Sequence, residues 1–174
     1  MAKTEQKIIK LLADYSEREF YAQEIARIVK CSKASSSGIL KSLTKKKIVF
    51  RKVRGHMKFY QINSRSPRVK KLKIDWALEK INPLLPKLEK FSKKIILFGS
   101  ASRGEDTHDS DIDLFIISDE KDNIRAVLKK ISRHLRVKAI VKTAGEWSEM
   151  EIKEPEFYRE IKSGVILYEY VPRI

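Results

Sequence analysis

The chain is short of the residues that mark several common roles. It holds one cysteine, Cys31, in 174 residues, so no internal disulfide can form. No His or Cys stands at ligand spacing from that thiol, and a small buried residue is its expected state. No apolar run reaches the roughly 18–20 residues that span a bilayer. The opening "MAKTEQKIIKLLADY" lacks the apolar stretch and small-residue cleavage site of a secretory signal. No membrane role is expected, and the cytoplasm is the expected compartment. Only three Asn and three Gln accompany 38 Lys and Arg, a composition that suits a heat-resistant protein.

What is present is a foldable mixture, 42% hydrophobic and 35% charged, enough for one or two domains with their own cores. The formal net charge of +15 is unevenly placed. Residues 1–70 hold 18 Lys and Arg against 5 Asp and Glu, a balance of +13, whereas residues 71–174 hold 20 against 18, a balance of +2. A merely soluble basic surface would be spread evenly. A surplus confined to one part attracts polyanions, nucleic acid first among them.

In that basic part, "EQKIIKLLAD" sets Ile8, Ile9, Leu11 and Leu12 on one helical face, and "AQEIARIVK" does the same with Ile25, Ile28 and Val29. A third helix is expected in "CSKASSSGILKSLTKKK", capped by Ser32, with Ile39, Leu40 and Leu43 turned to the core. Ser36 shares that buried face. Gly38 within it costs about 1 kcal/mol of helix propensity relative to Ala, so packing must hold this helix. "IVFRKVRGHMKFYQIN" reads as two strands around a turn at Gly55-His56.

Three helices and a basic hairpin, with the phrases "YAQEIARIVKCSKASSSGILKSL" and "GHMKFYQIN", resemble the winged helix-turn-helix domains of archaea and bacteria. The resemblance covers about residues 4–63. It implies duplex DNA as partner, the third helix in the major groove and the wing along the backbone. Lys33, Ser35, Ser37 and Lys41 are the candidate contacts on the helix. Arg51, Lys52, Arg54, His56 and Lys58 are those on the wing, with Lys45, Lys46 and Lys47 nearby.

Residues 67–91, "PRVKKLKIDWALEKINPLLPKLEKF", carry a helical rhythm that Pro83 and Pro86 interrupt. A proline deep in a helix costs about 3 kcal/mol, so the pattern predicts one helix to about Ile81 and a short one from Pro83 to Lys90. It is too apolar for a tether and serves as a packed spacer or a homodimer interface. The expected division is 1–64, a helical linker at 65–91, and 92–174.

The last part contains "KKIILFGSASRGEDTHDSDIDLFIIS". Two apolar runs read as buried strands, joined by a polar loop that opens on Gly99-Ser100 and closes on Asp111-Ile112-Asp113. Side chains at i and i+2 of a strand share a face, so Asp111 and Asp113 project together while Ile112 and Leu114 enter the core. Two acids at the mouth of a core strand need a cation. Gly99 leaves room for close approach to its backbone, and Ser100 adds a hydroxyl, the chemistry that holds a phosphate. Carboxylates plus phosphate oxygens are the usual way Mg²⁺ is bound.

Gly-Ser, ten residues, then Asp-x-Asp, with "SASRG" and "SDIDL", resembles the minimal nucleotidyltransferases of the DNA polymerase β-like superfamily over about residues 92–142. A weaker likeness continues in "EPEFYREIKSGVILYEY". The resemblance implies an α+β fold, a small mixed sheet with flanking helices. It implies Asp111 and Asp113 as catalytic ligands of Mg²⁺ or Mn²⁺, and Gly99, Ser100 and Arg103 at the phosphates of a nucleoside triphosphate. The reaction implied is transfer of a nucleotide to a hydroxyl acceptor with release of pyrophosphate, the acceptor being possible on a separate protein. Arg103 has an alternative use in an ion pair with Asp106 or Asp109.

The pattern breaks at one place. Members of that family carry a third carboxylate on a later strand, completing a two-metal site. After the expected helix "DNIRAVLKKISRHL", the next strand, "RVKAIVK", holds Arg136, Lys138 and Lys142 and no acid. A lysine beside the two aspartates would set its own charge where a metal binds. "TAGE" reads instead as a helix start, with Thr143 and Glu146 capping each other. Two readings of function remain: a DNA-binding Mg²⁺-dependent nucleotidyltransferase, or a transcriptional regulator whose second domain senses nucleotide or dimerises.

Overall fold

The computed structural model describes residues 3–130 and 135–171. The chain forms two units, Met1–Leu72 and Lys73–Ile174, and is an α+β protein with a winged helix-turn-helix in the first unit and a four-stranded mixed sheet flanked by helices in the second.

The first unit runs α1 (Lys3–Asp14), β1 (Phe20–Tyr21), α2 (Ala22–Val29), α3 (Lys33–Lys45), β2 (Val49–Arg54) and β3 (Met57–Ile62). Ile8, Ile9, Leu12, Ile25, Leu40 and Leu43 are fully buried, as the helical spacing requires. Ser32 caps α3, its Oγ accepting the Ser35 amide at 3.1 Å. Ser36 has no exposed surface, and its hydroxyl donates to the Ala22 carbonyl at 2.9 Å, tying α3 to the start of α2. The hairpin turns at Gly55, where φ is +58°. The strands pair in the order β1-β3-β2, all antiparallel. A two-residue strand at Phe20–Tyr21 was not expected from the sequence, because two residues carry no alternation to read.

The second unit begins within α4 (Pro67–Ile81) and continues with α5 (Leu85–Glu89), β4 (Lys94–Phe98), α6 (Gly99–Ser102), β5 (Ile112–Ile117), α7 (Lys121–Lys129), β6 (Val137–Lys142), α8 (Ala144–Lys153), α9 (Pro155–Lys162) and β7 (Val165–Glu169). The rest of the expected helix "DNIRAVLKKISRHL" includes residues 131–134, which lie outside the described residues. The sheet order is β6-β5-β4-β7, with β5 and β6 parallel and the other pairs antiparallel.

Alternation sorts this sheet into two faces. Ile95, Leu97, Ile112, Leu114 and Ile116 pack with Ile81 of α4, Leu84 just before α5, Leu88 of α5 and Ile124 of α7. Ile96, Phe98, Phe115 and Ile117 face the other way, against Met150 and Ile161 of α8 and α9. Trp147 lies between Phe115 and Tyr158 there, with ring centroids 4.8 and 4.3 Å away. Gly164 lets the chain re-enter the sheet after α9, since a Cβ at that position would stand 2.4 Å from the Leu97 carbonyl oxygen.

α8 starts with the reciprocal cap: the Thr143 hydroxyl accepts the Glu146 amide at 3.2 Å, and Glu146 accepts the Thr143 amide at 2.6 Å. Lys121 also donates to Glu146, at 2.6 Å. Lys121 first, then the Thr143 amide, lowers the Glu146 carboxyl from its ordinary 4.5 to about 2. A carboxyl lowered on folding stabilises the native state above its unfolded pKa and loses that contribution as pH falls through the folded value. Glu146→Gln, which keeps the cap but not the charge, is expected to lower the thermal midpoint near neutral pH. The gap to wild type should close between about pH 4.5 and pH 2; melting curves across that range check it.

Candidate functional site

In the second unit the carboxylate pair sits where β5 leaves its loop. Asp113 pairs with Phe98 of β4 on one side and, in the parallel register, with Lys138 of β6 on the other. It projects from the face that carries Phe115 and Ile117. Gly99 opens α6 with φ at +70°, and a Cβ there would stand 2.7 Å from Asp113 Oδ2. Only glycine fits both that backbone and that gap. The sequence-predicted Gly99, Asp111 and Asp113 are therefore brought together, and Ser100 follows Gly99 in the same helical turn.

The lysine without an acid faces the pair. Lys138 Nζ lies 2.7 Å from Asp111 Oδ2, and this bond raises the Lys138 pKa. The Asp113 carboxyl is pushed up, by burial first and then by the nearby charges of Asp111 and Glu160, while Lys138 opposes the rise. With a side chain 72% exposed, Lys138 rests in solvent rather than in a sealed core. An exposed pair of this sort holds the two groups together weakly.

Glu160 of α9 is a site residue that sequence spacing missed. Its charge adds to the rise in the Asp113 pKa, and its side-chain bond is to Arg103. Arg103 reaches it at 3.2 Å and reaches Glu105 at 3.0 Å. These partners replace the expected alternatives Asp106 and Asp109. Asp109 is met by Arg136, and Asp106 by the buried Lys73 of α4, whose ammonium also donates to the Asp106 carbonyl. Lys73 thereby pins the loop between α6 and β5. The bond from Glu105, then that from Glu160, raises the Arg103 pKa.

Two carboxylates on one face and a gap kept clear by glycine suit one oxygen-preferring divalent ion. They do not suit a pair of ions, because Lys138 occupies the strand position next to Asp113. Among the described residues no group of three or more His, Cys, Asp or Glu is placed to hold a metal.

The first unit offers a different surface. A groove between α3 and the wing is lined by Lys33, Ser37 and Lys41 from the helix and by Arg51, His56 and Lys58 from the hairpin. Tyr21, Gln23 and Lys45 extend it. Ser35 lies at the capped end of α3. Lys52 and Arg54 alternate with Arg51 and point to the opposite face, where Glu19 takes both, at 2.7 and 2.9 Å. The Lys52 hydrogen bond is the main cause of a lowered Glu19 pKa. The structure thus groups six of the nine predicted DNA contacts and sets Ser35, Lys52 and Arg54 outside that groove.

Comparison with known proteins gives the class. A family model for the nucleotidyltransferase domain matches residues 78–168, just over half of the chain. The protein belongs to the nucleotidyltransferase domain family. No curated protein matches it significantly. Among solved structures, a candidate nucleotidyltransferase from Sulfolobus solfataricus is 20% identical, with 59% of this chain and 85% of that one covered and a TM-score of 0.36. TrmBL2, an archaeal chromatin protein, is 14% identical over 91% of this chain and 69% of its own, with a TM-score of 0.35. A hypothetical protein of Pyrobaculum spherical virus is 14% identical over 49% of this chain, with a TM-score of 0.32, and this chain spans 54% of its length. At these scores the likenesses carry no argument. No helix among the described residues is long and apolar enough to cross a membrane.

Because Lys138 holds the Asp113 carboxyl down against burial, Lys138→Met is expected to raise the Asp113 pKa further. Carbon-detected titration of the aspartate carboxyls in wild type and variant reads the shift directly. An unchanged Asp113 would mean that the lysine does not rest there in solution.

Proposed function

We propose that the protein binds duplex DNA through its first unit and that its second unit is a nucleotide-binding regulatory domain rather than an efficient transferase. The observation that carries this reading is Lys138, which stands beside Asp113 and bonds Asp111 where a transferase needs a third acid. Asp111 and Asp113 would hold one Mg²⁺ or Mn²⁺ ion, and a divalent ion there would neutralise the charge of a bound triphosphate. Gly99 leaves its backbone open to the phosphates, and the Ser100 hydroxyl orients them. Arg103, anchored by Glu105 and Glu160, borders the same turn and can exchange a carboxylate for a phosphate oxygen. Lys138 is free to follow the negative charge of the ligand once Asp111 is engaged. A cytoplasmic transcriptional regulator that reads nucleotide level is the role these parts fit.

For DNA, the groove of α3 and the wing supplies Lys33, Ser37, Lys41, Arg51, His56 and Lys58, with Ser35 at the helix start. Glu19 already satisfies Lys52 and Arg54, so they contribute less. Arg51→Ala should therefore weaken binding more than Arg54→Ala. Loss of one phosphate contact lowers the slope of log K against log salt by about 0.9. Fluorescence anisotropy on a duplex at several salt concentrations checks both, and equal losses for the two variants would remove the distinction between the wing's faces.

A second reading is favoured by Glu160, an acid close enough to Asp113 to raise its pKa. Here a hydroxyl oxygen on a separate protein or other acceptor bonds to the α-phosphorus, the bond to the β-phosphate oxygen breaks, and pyrophosphate leaves while a carboxylate takes the hydroxyl proton. The two readings part on experiment. Calorimetry with ATP and Mg²⁺ is expected to show binding to wild type that Asp111→Asn/Asp113→Asn loses. Label transferred from α-labelled nucleotide to any acceptor, and abolished in Asp111→Asn, would establish the transferase instead.

A further inference from the structure

On the sheet face away from the carboxylates, the end of α4, α5 and α7 frame a groove of about 560 Å³ with a floor that includes Leu84, Phe91 and Val127. Its rim carries Lys80, Lys87 and Lys90, all exposed and none in an ion pair among the described residues. No acid lines it among the described residues. An apolar floor inside an unneutralised basic rim fits a ligand with an apolar body and acidic edges.

The other side of this unit presents that chemistry. The corner between α8 and α9, Glu151 to Glu156, is exposed throughout. Ile152 projects from it with 86% of its surface in solvent, the most exposed of the large apolar side chains among the described residues. Glu151, Glu154 and Glu156 surround it in sequence, none of them ion-paired among the described residues, while Lys153 is already taken by Glu149 at 2.7 Å. α8 and α9 cover one face of the sheet and α4, α5 and α7 the other. A chain therefore cannot place its own corner in its own groove.

We infer that the Ile152 corner of one chain docks in the lysine-rimmed groove of a second copy, giving head-to-tail association through the second units. The contact is heterologous, so each chain keeps one free groove and one free corner and assembly continues beyond a dimer or closes into a ring. The surplus of positive charge on residues 1–70 opposes association most at low ionic strength. Near 0.15 M salt the screening length is about 8 Å, which confines that repulsion to short range. The inference is independent of the nucleotide and DNA readings above.

Analytical ultracentrifugation of the full chain, without DNA and near physiological salt, tests it. The mean mass should rise with concentration past that of a dimer, or settle at a ring, and should fall at high salt. Lys87→Glu/Lys90→Glu and Ile152→Asp are each expected to weaken association by on the order of tenfold or more, about 1.4 kcal/mol. These are exposed positions where the fold is little affected. Mixed together, the two variants should form a discrete one-to-one complex, because one keeps its corner and the other its groove. A wild type that stays monomeric throughout, or an assembly that ignores both variants, would overturn the proposal.

Discussion

The chemistry of the second unit hangs on the pairing of β5 with its two neighbours. β4 lies antiparallel to β5 and ends at Phe98, which delivers Gly99 to the side of Asp113. β6 lies parallel and brings Lys138 to the other side. Because strand side chains alternate, a slip of one residue would turn Asp113 toward the Leu97 and Leu114 core and send Ile112 or Leu114 to the site. Nine core positions of alternating parity across three strands resist that slip: Ile95, Leu97, Leu114 and Ile116 on one face, Ile96, Phe98, Phe115, Ile117 and Ile140 on the other. The site's geometry is thus a by-product of hydrophobic register, and its acids cost stability that the same register supplies.

The first unit uses parity in a different way. Alternation along β2 splits the wing's cations between a face that opens on α3 and a face that Glu19 neutralises. Formal charge alone treats all of them as one field. Position divides them into charges available to a phosphate and charges that already have a partner. Ser36 makes a comparable division within α3: it is turned inward to the Ala22 carbonyl, leaving Lys33, Ser37 and Lys41 toward the groove.

Local features were legible in the sequence wherever one element contained the whole signal. The Ser32 cap, the Thr143 and Glu146 box, the Gly55 turn and the shared face of Asp111 and Asp113 each need only neighbouring residues. The missing acid on β6 was also readable, and with it the alternative of a lysine beside the two aspartates, but that Lys138 faces the pair rather than away depends on the parallel register of β5 and β6. The meeting of Arg103 with Glu160 was out of reach for the same reason. Glu160 comes from α9, whose sequence "PEFYREIK" reads as a packing helix, whereas Glu105 is a loop neighbour of Arg103. Glu19 gave no sign of its hold on Lys52 and Arg54, because β1 beside it is too short to show a period.

The pairing of Lys94 with Glu169 has a consequence for how the protein is made. In the first unit every strand partner lies within Phe20 to Ile62, so that unit can close as soon as this stretch leaves the ribosome. β4 by contrast waits, one edge unpaired, until β7 has been synthesised. Long-range pairing of that kind is slow to form and leaves an apolar strand open to strangers meanwhile. The first unit therefore has all its strand partners while the second is still being translated, and the two units complete their sheets at different times on the ribosome.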